Sequence, residues 1–238
     1  MSPPAFVPHA VDPAGPRIAL FDLDGTLIPG DSDQAFGEFM VTLGWADATT
    51  HRARNNAFYQ QYLDGVLDID EYVAFSTSAW RERTAEELAW AQQRFMAEII
   101  APQLTPQARA LVRRHQDAGD RVLIVTATNV VVTRPIADAF GVPELIGIEV
   151  QRDAQGRYTG LIDGTPSFRE GKIARVEAWL AARGLRWDQL GHSVFYSDST
   201  NDLPLLERVQ EPVATNPGPG LEAIARERGW RILRLFDR

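Results

Sequence analysis

The sequence predicts an α/β protein in which a doubly wound parallel sheet carries an inserted all-helical cap after its first strand. Short apolar runs alternate with stretches of helical periodicity, which is the pattern of parallel strands joined by crossover helices. Residues 31–104 show helical patterns only, so we expect them to form a separate unit. Because this unit follows the first strand, we expect it to cover the carboxyl edge of the sheet, where such folds bind ligands.

The composition is typical of a globular protein with a sizeable core, since 45% of its 238 residues are hydrophobic. The absence of cysteine excludes disulfides, thiolate catalysis and cysteine–zinc sites, and it fits a cytoplasmic location. The formal net charge is −8 and no lysine/arginine cluster is present, so nucleic acid is not an expected partner. No apolar run is long enough to span a membrane, so a membrane is not expected as a partner either. The proline-rich residues 1–16 predict a flexible tail, and the oligomeric state stays open.

The first strand is predicted at the apolar residues 18–21, and a polar turn at residues 22–26 follows it directly. This turn contains two acids, Asp22 and Asp24, and then Gly25, which permits the chain to change direction. Two carboxylates so close together repel each other, so they need a cation or a shared proton. An apolar strand gains no stability by ending in such a pair, so the pair indicates chemistry.

The cap is predicted to contain four helices, because its sequence holds several signals for helix starts. Asp31 is a plausible N-cap, and residues 68–71 and 84–87 fit the capping-box pattern. The predicted helices lie at residues 34–43, at 55–63, from 68–71 onward, and from 84 to 100.

After residue 105 the predicted helices and strands alternate, which completes the doubly wound sheet. The predicted helices are 105–119, one that follows the strand ending at Thr126 and reaches 140–141, and those at 171–182, 203–209 and 221–228. The predicted strands are 122–126, 145–150, 158–162, 193–198, 212–215 and 230–235, with 145–150 and 158–162 flanking a hairpin turn at 153–156. The α/β core is therefore assigned to residues 17–30 and 105–238, and the cap to residues 31–104.

Polar residues stand at the ends of several core elements. Asp22, Thr126 and Asp198 follow or close strands, and the carboxyl ends of parallel strands share one edge of the sheet. Lys172 lies at a helix start, where the helix dipole disfavours a cation unless it meets an anion. Clustered carboxylates with a lysine suggest a hard divalent cation, most simply Mg²⁺. A carboxylate can also act as a nucleophile and form an aspartyl-phosphate.

The order of these polar residues along the chain resembles the four motifs of the haloacid dehalogenase superfamily of phosphatases. The motifs are Asp22-x-Asp24-Gly-Thr, the strand-end Thr126, Gly171-Lys172, and Asp198-Ser-x-x-Asp202. The helical insertion after the first motif is similar to the subfamily that contains phosphoserine phosphatases. The resemblance covers nearly the whole chain after the tail, and it implies a Rossmann-like core and phosphatase activity with Mg²⁺ as cofactor.

The resemblance also implies roles for the acids of the first motif and for two residues that meet the phosphate. Asp22 would be the nucleophile and a metal ligand. Asp24 would protonate the leaving oxygen and then deprotonate water, with its backbone carbonyl on Mg²⁺. Thr126 would hydrogen-bond the phosphoryl group, and Lys172 would neutralise Asp22 and the phosphate.

The last motif would complete the site on the same resemblance. Asp198 would ligate Mg²⁺, and Asp202 would hold Lys172 and a metal-bound water. Asn201 would assist in the phosphate pocket.

Three cap residues are candidates for substrate contacts. Related phosphoserine phosphatases carry a glutamate at the position of Asp31 that meets the substrate's amino group, whereas the shorter aspartate could equally be a helix cap. Arg52 and Arg54 could clamp a substrate carboxylate, although a solvated helix face is the favoured interpretation of this pair.

Three functions are consistent with these features. The first is hydrolysis of a small phosphate ester, with phosphoserine or histidinol phosphate as the expected substrate. The second is a phosphomutase, which would use Asp22 and Asp24 but return the phosphoryl group to product. The third is a phosphorylation-switched signalling domain, which would need a long-lived aspartyl-phosphate. Asp24 favours the first function over the third, since an acid/base beside the nucleophile would destroy that intermediate.

Overall fold

The computed structural model describes residues 15–236, so nearly all of the tail predicted for residues 1–16 lies outside the described residues. The strands are β1 (Arg17–Phe21), β2 (Arg121–Asn129), β3 (Glu144–Ile148), β4 (Val150–Arg152), β5 (Tyr158–Ile162), β6 (His192–Ser197), β7 (Glu211–Thr215) and β8 (Arg231–Leu233). The helices are α1 (Ser32–Thr42), α2 (Ala48–Leu63), α3 (Ile69–Thr77), α4 (Ala85–Phe95), α5 (Pro106–Asp117), α6 (Val130–Ala139), α7 (Glu170–Ala181), α8 (Leu203–Leu206) and α9 (Pro219–Arg228). Short π- or 3₁₀-helical turns lie at Met96–Ile100, Ala101–Gln103, Trp187–Gln189 and Thr200–Asp202.

Within the described residues, six strands form one sheet in the order β3-β2-β1-β6-β7-β8, and every neighbouring pair is parallel. The order reverses at the central strand β1, which pairs with β2 on one side and β6 on the other. This reversal marks the crevice where doubly wound sheets bind ligands. The predicted fold class is confirmed.

The central strand β1 is buried on both faces because four of its five residues are apolar. Ala19 and Phe21 belong to one hydrophobic cluster, whereas Ile18 and Leu20 belong to another. Alternate side chains of a strand point to opposite faces, so each cluster covers one face of the sheet. This double packing fixes the end of β1, and therefore the start of the loop that carries Asp22 and Asp24.

Helices fill the segment between β1 and α5, and α1, α3 and α4 begin at the start signals expected from the sequence. The helix predicted at residues 55–63 begins earlier, at Ala48, because Asp47 acts as its N-cap. The side chain of Asp31 accepts hydrogen bonds from the backbone at the start of α1, and Asp68 does the same for α3. Thr84 and Glu87 form a complete capping box at the start of α4. Satisfied N–H groups explain why the helices start at these residues.

The predicted strand 145–150 is wrong as a single strand. β3 ends at Ile148 as a parallel strand of the main sheet, and β4 begins at Val150 and pairs antiparallel with β5. Val150, Ile148 and Val73 of α3 form a small hydrophobic cluster, so the hairpin packs against the cap. The chain leaves the main sheet because these apolar residues bury their side chains against α3. Among residues 15–236, no helix is both long and apolar enough to cross a membrane.

Candidate active site

A cavity of about 740 Å³ opens above the carboxyl edge of the sheet, between the core and the cap. Asp22 follows β1 directly, and its backbone N–H donates to the carbonyl of Tyr196 in β6 at 2.9 Å. The loops after β1 and β6 therefore start side by side. Asp22, Thr126 and Asp198 all line this cavity, so the structure brings together the three strand-end residues expected to meet.

Lys172 lies in the first turn of α7 and is the buried cation of the site. Its Nζ lies 2.9 Å from Asp22 Oδ1 and 2.8 Å from Asp202, and its side chain is 2% exposed. Burial alone would lower the pKa of Lys172, but the two carboxylates outweigh it and raise that pKa. Burial raises the pKa of Asp22 to about 7 even against the opposing charge of Lys172, so a further cation nearby would favour its ionised form.

Gly171 explains how the lysine enters the site. A Cβ at this position would lie 2.0 Å from the carbonyl oxygen of Pro166, so no larger residue fits without a backbone shift. The Gly-Lys pair thus allows the start of α7 to pack closely against the preceding loop.

Asp24 is held between the start of α1 and the end of β2. Its Oδ1 accepts from the backbone N–H of Ser32 at 2.7 Å, and its Oδ2 accepts from the Thr128 hydroxyl at 2.9 Å. The Thr126 hydroxyl lies 3.5 Å from the same Oδ2. Burial, followed by the charge of Asp31, raises the pKa of Asp24 to about 6. A carboxyl group with this pKa can both donate and accept a proton near neutral pH.

The turn after Asp24 packs against Asp198. Gly25 has a φ of +70°, and a Cβ there would lie 2.3 Å from Asp198 Oδ2. Asn216 donates through Nδ2 to the carbonyls of Gly25, at 2.9 Å, and Thr26, at 3.2 Å. The turn is therefore held by the residue that follows β7, and Asp198 lies close to the chain that carries Asp24.

The residues of the site suit Mg²⁺ better than a metal that needs many side-chain ligands. Among residues 15–236, no group of three or more histidine or acidic side chains is arranged to hold a metal ion. Mg²⁺ instead keeps several waters and binds through one or two carboxylates together with substrate phosphate. Asp22 and Asp198 could supply those carboxylates, whereas the Asp24 carboxylate is already engaged and leaves its backbone carbonyl.

Asp31 and Asp33 line the cap side of the cavity. The Oδ1 of Asp31 accepts from the backbone N–H groups of Asp33 and Gln34, both at 2.9 Å, so this residue is the N-cap of α1. Asp33 is buried and accepts from Asn129 Nδ2 at 3.3 Å. Burial raises the pKa of Asp33 to about 7, and the neighbouring hydroxyl of Tyr72 only partly opposes this rise. The sequence did not single out Asp33 or Thr128.

The structure does not bring Arg52 and Arg54 to the cavity, so the arginine clamp needs correction; both residues are exposed, in line with the favoured interpretation of a solvated helix face. Arg52 forms a salt bridge with Glu38 at 2.8 Å on the exposed surface. The guanidinium of Arg54 lies 5.7 Å from the ring centroid of Phe58 and 5.1 Å from that of Phe75. Neither arginine is among the residues that line the cavity. The packing of α2 against α1 and α3 directs both side chains elsewhere.

Five residues join the end of α2 to the core loops, and we call their contacts the latch. The hydroxyls of Tyr62 and Ser199 lie 2.9 Å apart, and Asn201 Nδ2 donates to the Tyr62 carbonyl at 3.4 Å. Arg169 donates to the Gly65 carbonyl, and through Nε to Asn201 Oδ1 at 3.3 Å. Asn201 therefore faces the cap as well as the cavity.

The fold and this site define a hydrolytic enzyme built on a doubly wound α/β sheet, and comparison with protein families makes the assignment specific. Residues 19–207 match the family described as haloacid dehalogenase-like hydrolase. The chain belongs to this family, because the match covers most of its length. The predicted recognition and the predicted class of enzyme, a phosphatase of this family, are confirmed.

Two relatives illustrate the range of named activities. The chain is 45% identical over 219 residues to a histidinol-phosphatase of Neisseria meningitidis, a match that covers 92% of this chain and 99% of the relative. It is 32% identical over 220 residues to a phosphoserine phosphatase of Mycobacterium tuberculosis, covering 90% of this chain and 69% of that protein.

Two solved structures support the fold. A Bordetella pertussis protein of unknown function has a TM-score of 0.88 and 47% identity, covering 94% of this chain and 100% of that one. A phospho-aspartyl intermediate analogue of a phosphoserine phosphatase has a TM-score of 0.64 and 16% identity, covering 93% of this chain and 94% of that one. The second likeness concerns the fold alone.

Proposed function

We propose that this protein is a Mg²⁺-dependent phosphomonoester hydrolase that works through an aspartyl-phosphate on Asp22. The observation that carries the proposal is the buried clamp of Lys172 between Asp22 and Asp202 at the base of the cavity. A lysine placed there neutralises a nucleophilic carboxylate and an incoming phosphate together. Such charge neutralisation and positioning are the main needs of phosphoryl transfer.

In the first step, a carboxylate oxygen of Asp22 attacks phosphorus, and the bond from phosphorus to the ester oxygen breaks. Asp24 gives its proton to the leaving oxygen, and the alcohol departs. In the second step, Asp24 takes a proton from water, whose oxygen attacks the phosphorus of the aspartyl-phosphate. The bond from phosphorus to Asp22 breaks, phosphate leaves, and both aspartates return to their starting states.

Other residues hold the reacting groups in place. Thr126 lines the cavity beside Asp24 and would donate to the phosphoryl group. Asp202 holds Lys172, and is itself held by the Ser197 hydroxyl at 2.7 Å. Asp22, Asp198 and the Asp24 carbonyl would hold Mg²⁺, which supplies charge stabilisation for the phosphoryl oxygens.

The substrate is proposed to be a small amino-acid-related phosphate such as histidinol phosphate or phosphoserine. A relative named for each activity supports this class. The helical segment over the site also favours small esters, because the cavity between cap and core holds about 740 Å³.

A phosphate-release assay with p-nitrophenyl phosphate tests the reaction. We expect Mg²⁺-dependent release that Asp22→Asn and excess chelator both abolish, because each removes part of the phosphoryl site. Asp117→Asn, the same change at an exposed residue of α5, is the matched control and should leave the rate unchanged. Undiminished turnover in Asp22→Asn would refute the proposal, and transfer of the phosphoryl group to product without phosphate release would indicate a mutase.

The role of Asp24 has its own test. Asp24→Asn should slow hydrolysis by about 10²-fold or more, the usual scale for loss of a general acid–base group. With the good leaving group of p-nitrophenyl phosphate, the first step should continue and the aspartyl-phosphate should accumulate. Mass spectrometry of the intact variant would detect the adduct on Asp22. Loss of activity without any adduct would contradict this division of labour between the two acids.

A further inference from the structure

The cap side of the cavity contains buried polar residues that the proposed chemistry does not use. Asp33, Asn55 and Tyr72 line the cavity, and Asp33 and Asn55 are only 6% and 8% exposed. Burying polar side chains costs free energy unless partners compensate them. These residues therefore call for an explanation outside the phosphoryl chemistry.

Asn55 lacks a partner within the protein. Its carboxamide makes no hydrogen bond with any residue from 15 to 236, although the residue is more than nine-tenths buried. Its neighbours on α2 include Phe58, whose ring packs edge-on against Tyr72 at 5.5 Å. An amide on the cavity wall with unused donors and acceptors is suited to bind a polar group of a ligand.

The acids on the cap side of the cavity have no cationic partner among the described residues that line it. Asp31 and Asp33 both line it, and the hydrogen-bond donor that reaches Asp33 from Asn129 is neutral. Among the described residues that line the cavity, Lys172 is the one lysine or arginine, and Asp22 and Asp202 already hold it. A substrate carboxylate placed here would meet two acids and no free cation, whereas an ammonium group would supply the missing counter-charge.

We propose that Asp33, Asn55 and Tyr72 form a subsite for a cationic substrate end, so that the enzyme takes phosphate esters of amino alcohols that carry no carboxylate. The ammonium donates to the Asp33 carboxylate, and Asn55 accepts or donates a further hydrogen bond. The aromatic faces of Phe58 and Tyr72 add favourable contact with a cation. This subsite rests on the proposed function, since it orients the ester whose phosphate meets Asp22.

The proposal can be tested with three small phosphate esters. Two of them differ from serinol phosphate in a single group. Serinol phosphate carries an ammonium and no carboxylate. Phosphoserine has a carboxylate in place of the hydroxymethyl group, and glycerol 1-phosphate has a hydroxyl in place of the ammonium. We expect kcat/KM for serinol phosphate to exceed that for each of the other two by roughly ten- to hundredfold, the scale of one buried charge-assisted hydrogen bond. p-Nitrophenyl phosphate reports on the phosphoryl chemistry independently.

Two variants test whether the preference for serinol phosphate depends on the subsite. Asp33→Asn should reduce the ratio of kcat/KM between serinol phosphate and glycerol 1-phosphate to within about threefold, because the counter-charge is lost. Asn55→Leu should lower kcat/KM for serinol phosphate and raise its KM. A structural defect would instead lower the rates for all esters alike and preserve the ratio. Asp70→Asn, at an exposed residue of α3, is the control and should keep the wild-type ratio.

The outcomes separate the two proposals. Turnover of p-nitrophenyl phosphate with equal or greater preference for phosphoserine or glycerol 1-phosphate would overturn the subsite and leave the hydrolase intact. An unchanged ratio in Asp33→Asn would also overturn it. Absence of turnover for every ester, including p-nitrophenyl phosphate, would remove the proposed function and this inference together.

Discussion

At the scale of single residues, Lys172 combines two tasks that can be separated. It is buried between Asp22 and Asp202, so it balances charges that the fold has removed from water. Removing one partner of a buried ion pair leaves an uncompensated charge, which typically costs about 3–5 kcal/mol. The same ammonium is proposed to stabilise the phosphoryl group during transfer.

Lys172→Met should therefore lower both the free energy of unfolding and kcat. Adding Asp202→Asn removes one of the two stranded carboxylates, so the double variant should regain part of the stability. Its kcat should stay about 10²-fold or more below wild type, the scale for loss of one preorganised donor. Denaturant titration and phosphate release measure the two quantities. Recovery of activity together with stability would make the lysine purely structural.

The residues of the core motifs could be placed from the sequence because strand ends fix them. Asp22 and Asp198 follow apolar strands, and parallel strands present these ends at one edge. Asp33 and Thr128 could not be placed in this way. Asp33 has the sequence pattern of an ordinary acid in the first turn of a helix, and its burial depends on how α3 brings Tyr72 against it.

At the scale of secondary-structure elements, the latch determines how the end of α2 meets the core. Burial raises the pKa of Tyr62, so its hydroxyl stays protonated and can donate to Ser199. Arg169 has a φ of 51°, a left-handed conformation that is unfavourable for a side chain other than glycine, and it reaches across to Gly65. Contacts across an interface sustain such a conformation.

Tyr62→Phe should weaken the latch by the one hydrogen bond it removes. We expect kcat/KM to fall by about two- to tenfold, and amide exchange at the end of α2 to become faster, since a hydrogen bond contributes about 0.5–1.5 kcal/mol. Steady-state kinetics and hydrogen-exchange mass spectrometry give both readouts. Tyr158→Phe makes the same change on the hairpin, where the hydroxyl meets Arg152, and should alter neither. If Tyr62→Phe and Tyr158→Phe behave identically, the latch has no role in turnover.

Element types followed from the sequence more reliably than their partners did. The start signals at Asp31, Asp68 and Thr84 act within a few residues, so they could be identified locally. The break between β3 and β4 could not, because residues 145–150 have one continuous strand pattern. It arises from apolar contacts with Val73, which lies far away in the sequence.

At the scale of the whole molecule, the site reduces stability by collecting buried acids. The pKa of Asp33 rises from 3.8 to about 7 on folding, with burial as the main cause. Between about pH 4 and pH 7 the folded protein therefore binds more protons than the unfolded chain. By linkage, the contribution of Asp33 to the free energy of unfolding is fully present below pH 4 and is lost as the pH rises through 7.

Asp33→Asn should remove this pH dependence, because an amide of the same shape carries no charge to bury. The stability difference between the variant and wild type should be close to zero below pH 4. It should grow to as much as about 4 kcal/mol in favour of the variant at pH 8, the equivalent of three pKa units. Urea titrations across this range measure the difference, with the exposed Asp70→Asn expected to follow wild type.

The same substitution links stability to specificity, since Asp33 is also the proposed counter-charge for a cationic substrate. We expect the variant to be more stable at pH 8 and to lose its preference for serinol phosphate. This result would show that the buried carboxylate lowers stability but serves substrate recognition, a trade-off that is common at functional sites. Serinol phosphate should also stabilise wild type more than Asp33→Asn at pH 8, because the ammonium compensates the buried charge. Equal stabilisation of both proteins would mean that the carboxylate and the ammonium do not meet.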